Sequence, residues 1–534
     1  MKPGKRIPYN LGASKVGLFK PMMSVVLAYA LLPFNMAYGH AFGQRFDLPI
    51  PLEYYLTGAA GVVFFSFILV ALFSKIPVVN NVGYPHINLF RWSWLRALSD
   101  ARLVNLLRFI VVVIFVLTVL AGLLGTQSPR QNIMPTMLWI IWWTGMAYFC
   151  ALITNLWALI NPWNTLFLWG EAICRRVRSR KMLFSLNWNY PQWLGVWPAC
   201  LLFGVFIWGE LIWTANAIPA NLSYAVIVYS CITWLGMFIF GRQCWLEKGE
   251  VFALVFGLFS YFSPLNLQAK SMSGPELTDD IAGPISKQWH LRPYGAGLLT
   301  DKKVSPSLMV FILLMLSTVT FDGVMGTPLW REIVQSMPDW HPIQPLLFRM
   351  EMWDISRELV LSTLGLILFP LCFGGLYLFF SWLIKITAPF SMPVDDGQIG
   401  TVRYMSTMEV GAYFVLSLVP IALAYHLAHY ASFLLTVGQL IIPLISDPFG
   451  MQWDLFGTAD YRVNIAIVGA RFVWNISIVS IVMGHIIAVY LSHFLALRVL
   501  KNMKQALLSQ IPMLVLMIFY TIFSLWILAQ PLVE

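Results

Sequence analysis

Ten runs of roughly 20 apolar residues dictate what this chain can become. They lie near 53–74, 106–126, 133–158, 194–215, 223–241, 307–321, 359–384, 409–429, 465–490 and 509–530. A helix rises about 1.5 Å per residue and the hydrocarbon core of a bilayer is about 30 Å thick, so runs of this length cross it. Inside that core every backbone N–H and C=O needs a partner from its own segment, which a helix supplies. The expected fold class is therefore an all-α integral membrane protein, with about ten transmembrane helices after a signal-like N-terminal segment.

Composition agrees. Charged residues make up only 11% of the chain, against about 25% in a soluble domain. The 23 tryptophans suit aromatic belts at two membrane interfaces. A formal charge of +10 would point to nucleic acid in a soluble protein. Here most of the basic residues fall in alternate loops, so no nucleic-acid partner is expected and the partner is the lipid bilayer. Arg91, Arg96 and Arg102 follow the first run, Arg175, Arg176 and Arg178 the third, and Arg242, Lys248, Lys287 and Arg292 the fifth. Lys385 and Arg403 flank the next such loop, and Arg498, Lys501 and Lys504 the last. Basic loops stay on the cytoplasmic side, which predicts a multi-pass membrane protein with its C-terminus outside.

Residues 1–39 are basic and then apolar, and end in Ala37-Tyr38-Gly39. They form either a cleaved signal peptide or an uncleaved first helix. Residues 40–534 form one bundle, with inner loops near 75–105, 159–193, 242–306 and 385–408. Val251–Phe262 is apolar but short and is expected at the inner interface. Ser432–Ile445 either re-enters the membrane or lies along its outer surface. The six cysteines are not spaced as a metal knuckle and read as small apolar residues.

The ionisable residues worth testing gather on the outer side. His426 and His429 are three apart, which puts both imidazoles on one helix face, where they can chelate a divalent metal ion such as zinc. Structural histidines bonded to headgroups, water or a neighbouring helix are the alternative. Asp322 and Asp447 are candidates for a third ligand or general base. Arg471 and Glu210 lie within apolar runs, and a charge at membrane depth is either functional or strictly paired. Arg471 paired with Asp322 or Glu210 is the expectation. After cleavage at Gly39, His40 offers an amine and an imidazole, a chelate suited to copper.

The run Gly39-His40-Ala41-Phe42-Gly43-Gln44-Arg45-Phe46-Asp47-Leu48-Pro49-Ile50-Pro51 resembles a bacterial family of polytopic membrane proteins. Asn161-Pro162-Trp163, Gly241-Arg242-Gln243, Gly249-Glu250-Val251-Phe252 and Asp447-Pro448-Phe449-Gly450 extend the resemblance through most of the chain. Some members of that family bear the name fenitrothion hydrolase. The resemblance implies a bacterial inner-membrane protein that hydrolyses a lipophilic organophosphorus triester, a reaction that commonly uses a divalent metal to activate water. Two other readings stand beside it: a transporter for a solute or metal ion, and a structural or redox-linked subunit paired with a second membrane or periplasmic subunit.

Overall fold

The eighth apolar run becomes the axis of the molecule. The computed structural model describes residues 40–41, 44–45, 48–73, 87–89, 92, 100–177, 184–270, 286–300, 304–393, 402–500 and 502–530. Among these, ten helices are long and apolar enough to cross a membrane. In order they are Leu52–Phe73, Ala101–Leu124, Ile133–Leu152, Gln192–Leu211, Pro219–Phe240, Pro306–Met325, Arg357–Thr387, Thr407–Ser446, Ala470–Val499 and Met503–Ala529. Each coincides with one of the ten runs. The signal-like residues 1–39 lie outside the described residues.

The spans differ greatly in how much they are enclosed. In the first, 17% of the most apolar window is buried; in the eighth, 89%. From Val410 to His426 every residue of the eighth span except Tyr413 is buried. The ninth span packs along it most extensively, and the third and sixth also touch it. The eighth span is long because it absorbs Ser432–Ile445, the stretch that resisted assignment. Two 3₁₀ turns, Val415–Leu418 and Val437–Leu440, let one helical path continue to Ser446. Close approach to the ninth span depends on Gly484, where an added Cβ would lie 2.5 Å from the Ala424 Cβ and 2.9 Å from the Pro420 carbonyl oxygen.

Spans consecutive in the chain run antiparallel. Trp139 bonds Asn216 while Trp143 bonds Glu210, and Ser492 bonds Gln510 while His485 stacks near Tyr520. Alternation gathers Arg102, Arg175, Arg242, Lys385, Arg498 and Lys504 at one end of the bundle, here termed the basic end. The fourth, sixth and eighth spans finish at the far end.

Two connections at the basic end fold back into the bundle. One leads through Asn161 into a helix at Pro162–Val177; the other leads through Glu250 into Val251–Ser260. Val251, Phe252, Val255, Phe256, Leu258 and Phe259 are all buried. Val251–Ser260 is thus a half-helix inside the bundle and not an interfacial element. Its apolar residues surround it, so it has no face to offer water, and its ten residues reach only about 15 Å. Buried helix ends need partners for their free N–H groups. Glu250 accepts from the N–H groups of Phe252 and Ala253 (3.1 and 2.7 Å), and Asn161 accepts from that of Asn164 (3.1 Å). The two caps also meet, since Asn161 Nδ2 donates to Glu250 Oε2 at 3.3 Å and Tyr229 Oη to Oε1 at 2.7 Å. Burial raises the Glu250 carboxyl above the usual carboxylate range, and the Tyr229 hydroxyl and the Ala253 and Phe252 N–H groups oppose that shift. The half-helix Val251–Ser260 and the buried first turns of Pro162–Val177 therefore meet N-terminus to N-terminus. Arg242 ties in the same hairpins through Nη1 to Asn164 Oδ1 (2.9 Å).

Gly484→Ala is expected to destabilise the detergent-solubilised protein by about 1–3 kcal/mol through overpacking. Gly204→Ala, where an added Cβ meets nothing within 4 Å, is expected to leave stability within about 0.5 kcal/mol of wild type or slightly above it. Thermal unfolding of both variants checks the contrast.

Candidate functional site

Towards the far end, four spans each direct polar side chains to one point. The eighth span supplies His426, His429 and Tyr430, which lie on one helical face by their spacing of three and four. The sixth supplies Asp322, three residues before its end at Met325, and the fourth supplies Glu210, one residue before Leu211. The third supplies Trp143 from a stretch of π-helix, Thr136–Gly145. A π-helix is wider than an α-helix and is frequent at functional sites. Here it carries adjacent Trp142 and Trp143, of which Trp142 packs on Phe252 of the half-helix (ring centroids 4.3 Å) and Trp143 faces His426 (5.6 Å).

One hydrogen-bonded chain links the four spans. His429 Nε2 donates to Asp322 Oδ2 at 2.9 Å. Tyr430 Oη lies 2.9 Å from the same Asp322 Oδ2 and 3.2 Å from Glu210 Oε1. Trp143 Nε1 donates to Glu210 Oε1 at 3.0 Å. Asn216 Nδ2 fixes the end of the fourth span by donating to the Glu210 backbone carbonyl at 2.6 Å. Tyr148 Oη donates to the backbone carbonyl of His426 at 3.0 Å. The His426 ring is 4% exposed, and neither of its nitrogens has a hydrogen-bond partner among the described residues. The same holds for Glu210 Oε2.

The proton count of this chain is informative. A tyrosine hydroxyl has one proton to donate. Placed between two carboxylates it satisfies only one of them if both are ionised. All its contacts become hydrogen bonds when Glu210 is protonated: Glu210 then donates to Tyr430, and Tyr430 donates to Asp322. A neutral Glu210 also leaves Oε2 as an uncharged carbonyl oxygen, which costs less to bury than half of an anion.

Glu210, Asp322, His426 and Tyr430 line a cavity whose other walls are mostly apolar, among them Phe203, Val255, Phe259 and Met315. The space it leaves free is about 20 Å³, room for about one water molecule. Val255 and Phe259 belong to the half-helix, so the element held by Glu250 forms part of the cavity wall.

Several sequence expectations meet differently in space. His426, His429 and Asp322 converge, but His429 and Asp322 bond each other. Among the described residues no three His, Cys, Asp or Glu side chains are grouped so as to hold a metal ion. Arg471 is exposed in the first turn of the ninth span, because that helix begins at Ala470 and the residue falls at its end instead of at depth. The partners of Asp322 and Glu210 are therefore Tyr430, His429 and Trp143. Asp447 is a turn residue: its carboxylate accepts the N–H groups of Met451 (2.9 Å) and Gln452 (2.7 Å), and it does not line the cavity. His40 is paired through its backbone with Arg45, and its side chain lies outside what is described. Tyr430 and Trp143 were not singled out by sequence, although Tyr430 directly follows His429. Glu250 was also missed; its signal was an acid placed just before an apolar run too short to span.

Compared with protein-family models, with curated proteins and with solved structures, the chain matches none.

Asp322→Ala removes the acceptor shared by His429 and Tyr430 and is expected to destabilise the protein by about 3–5 kcal/mol. Asp447→Ala loses a turn cap and is expected to cost about 1 kcal/mol. Denaturant unfolding of each variant in the same detergent tests the ranking, which reverses if Asp447 belongs to the network and Asp322 does not.

Proposed function

We propose that this multi-pass membrane protein is a proton-coupled transporter whose site binds and releases a proton at Glu210. The observation that carries the reading is the Tyr430 hydroxyl held between Asp322 and Glu210, an arrangement short of one proton when both acids are ionised. Ionisable side chains inside a membrane bundle typically serve as ion paths or proton relays. Support comes from the half-helix Val251–Ser260, whose cap Glu250 is met by Asn161. Discontinuous helices inside the bundle are a recurring feature of secondary transporters, where they form the substrate and ion sites. A membrane-facing hydrolase of organophosphorus triesters, the activity that the resemblance implies, fits these residues less well. It calls for a metal-bound water, and the His429–Asp322 bond occupies two of the groups that a metal would need.

The expected readout is an infrared band of a protonated carboxyl in the purified protein. It should vanish in Glu210→Gln and shift in Tyr430→Phe, which loses the bridging hydroxyl. A spectrum unchanged by Glu210→Gln would remove the reading. Hydrolysis of a lipophilic organophosphorus triester by the purified protein, abolished by Asp322→Asn, would replace it with the enzymatic one.

A further inference from the structure

A second set of buried polar groups runs from Asp322 towards the basic end and takes no part in the Glu210–Tyr430 arrangement. On the sixth span Thr320 lies two residues before Asp322, about 3 Å along the helix. Its hydroxyl is hydrogen-bonded to Tyr520 of the tenth span. Tyr425 of the eighth span is fully buried and its hydroxyl has no partner among the described residues. That hydroxyl points at the sixth span beside Asp322, since a Cβ added to Gly323 would stand 2.6 Å from it. The Tyr520 ring lies 5.7 Å from that of His485, midway along the ninth span. His485 is fully buried; Nδ1 is 2.8 Å from the Ile481 carbonyl oxygen, and Nε2 has no partner among the described residues.

The set resumes two turns further on. Ser492 Oγ donates to Gln510 Oε1 at 2.7 Å, both side chains being buried. His493 beside it is 1% exposed, and both its nitrogens lack partners among the described residues. It lies eight residues from His485, about 12 Å closer to the basic end. Such groups are expensive to bury without a partner. Hydroxyls and imidazoles each accept a proton at one lone pair and release one elsewhere. Ordered depth, burial and chemistry thus coincide along the sixth, eighth, ninth and tenth spans.

We infer that these side chains form a proton route from Asp322 through Tyr425, the Tyr520–Thr320 pair and His485 to the Ser492–Gln510–His493 group near the basic end. The inference rests on the proposed proton site, to which it adds a path through the bundle that carries protons without a transported solute. The ligand is the proton, carried between stations by water where side chains are too far apart to touch. His485 takes it at Nε2 from the Tyr520 side and releases it from the same atom after a change of neighbour, because Nδ1 stays with Ile481. No bond other than O–H and N–H is made or broken.

The test uses full-length protein in liposomes that contain a pH-sensitive dye, with an inward proton gradient and valinomycin with potassium to clamp the potential. Wild type is expected to acidify the lumen. Tyr520→Phe and His485→Leu are expected to reduce that flux to the level of protein-free liposomes while leaving the Glu210 carboxyl band unchanged. Thr320→Val, which keeps the shape of the side chain, guards against misfolding and should also lower flux. Wild-type flux in all three variants overturns the route, as does wild type without flux. The carboxyl band is read separately: its presence without flux removes the route and keeps the site, and its absence removes the site.

Discussion

Enclosure of the eighth span is the constraint on which the rest depends. A lipid-facing helix can carry little beyond apolar side chains, because a polar group in hydrocarbon finds no partner. A helix ringed by other helices can carry more. Between Val410 and Tyr430 the eighth span holds Ser417, Tyr425, His426, His429 and Tyr430, and its neighbours supply acceptors and donors. The Asp322–His429 bond and the Tyr430 bridge exist because the third, fourth and sixth spans close around this one helix. Ser477 of the ninth span helps to hold it there by donating to the Ala428 carbonyl at 3.1 Å.

The spans were legible in the sequence because length and hydropathy alone decide them. The short helices were not. Val251–Phe262 and Asn161–Val177 fall in stretches that read as loops, since neither is long enough to cross a bilayer. What turns them inward is local: Glu250 and Asn161 satisfy helix ends that would otherwise forbid burial. Single-sequence reading sees an acid before an apolar run but has no way to know that another chain segment brings Asn161 and Tyr229 to meet it.

The site was legible in part. The spacing of His426 and His429 and the placement of Asp322 and Glu210 in apolar runs located the right region. Pairing was the weak point. Arg471 looked like the natural partner for a buried acid, and the sequence offered no view of helix starts accurate enough to place it at an end. Hydroxyl and indole groups took that role instead. Tyr430 and Trp143 bring donors without bringing charge, so two acids can stand close together without a cation between them. Sequence reading weighted charges, and this cluster is built largely from neutral donors.

The π-helical stretch of the third span has a mechanical meaning of its own. Wide turns hold more residues than α-turns over the same length, so Thr136–Gly145 stores slack in an otherwise taut helix. Taking up that slack by one residue would rotate Trp142 and Trp143 together by about 100° about the helix axis. Trp143 would leave Glu210 in the same stroke that lifts Trp142 from Phe252 on the half-helix. One ratchet step in a single helix thus addresses both the acid at the far end and the wall element seated on Glu250.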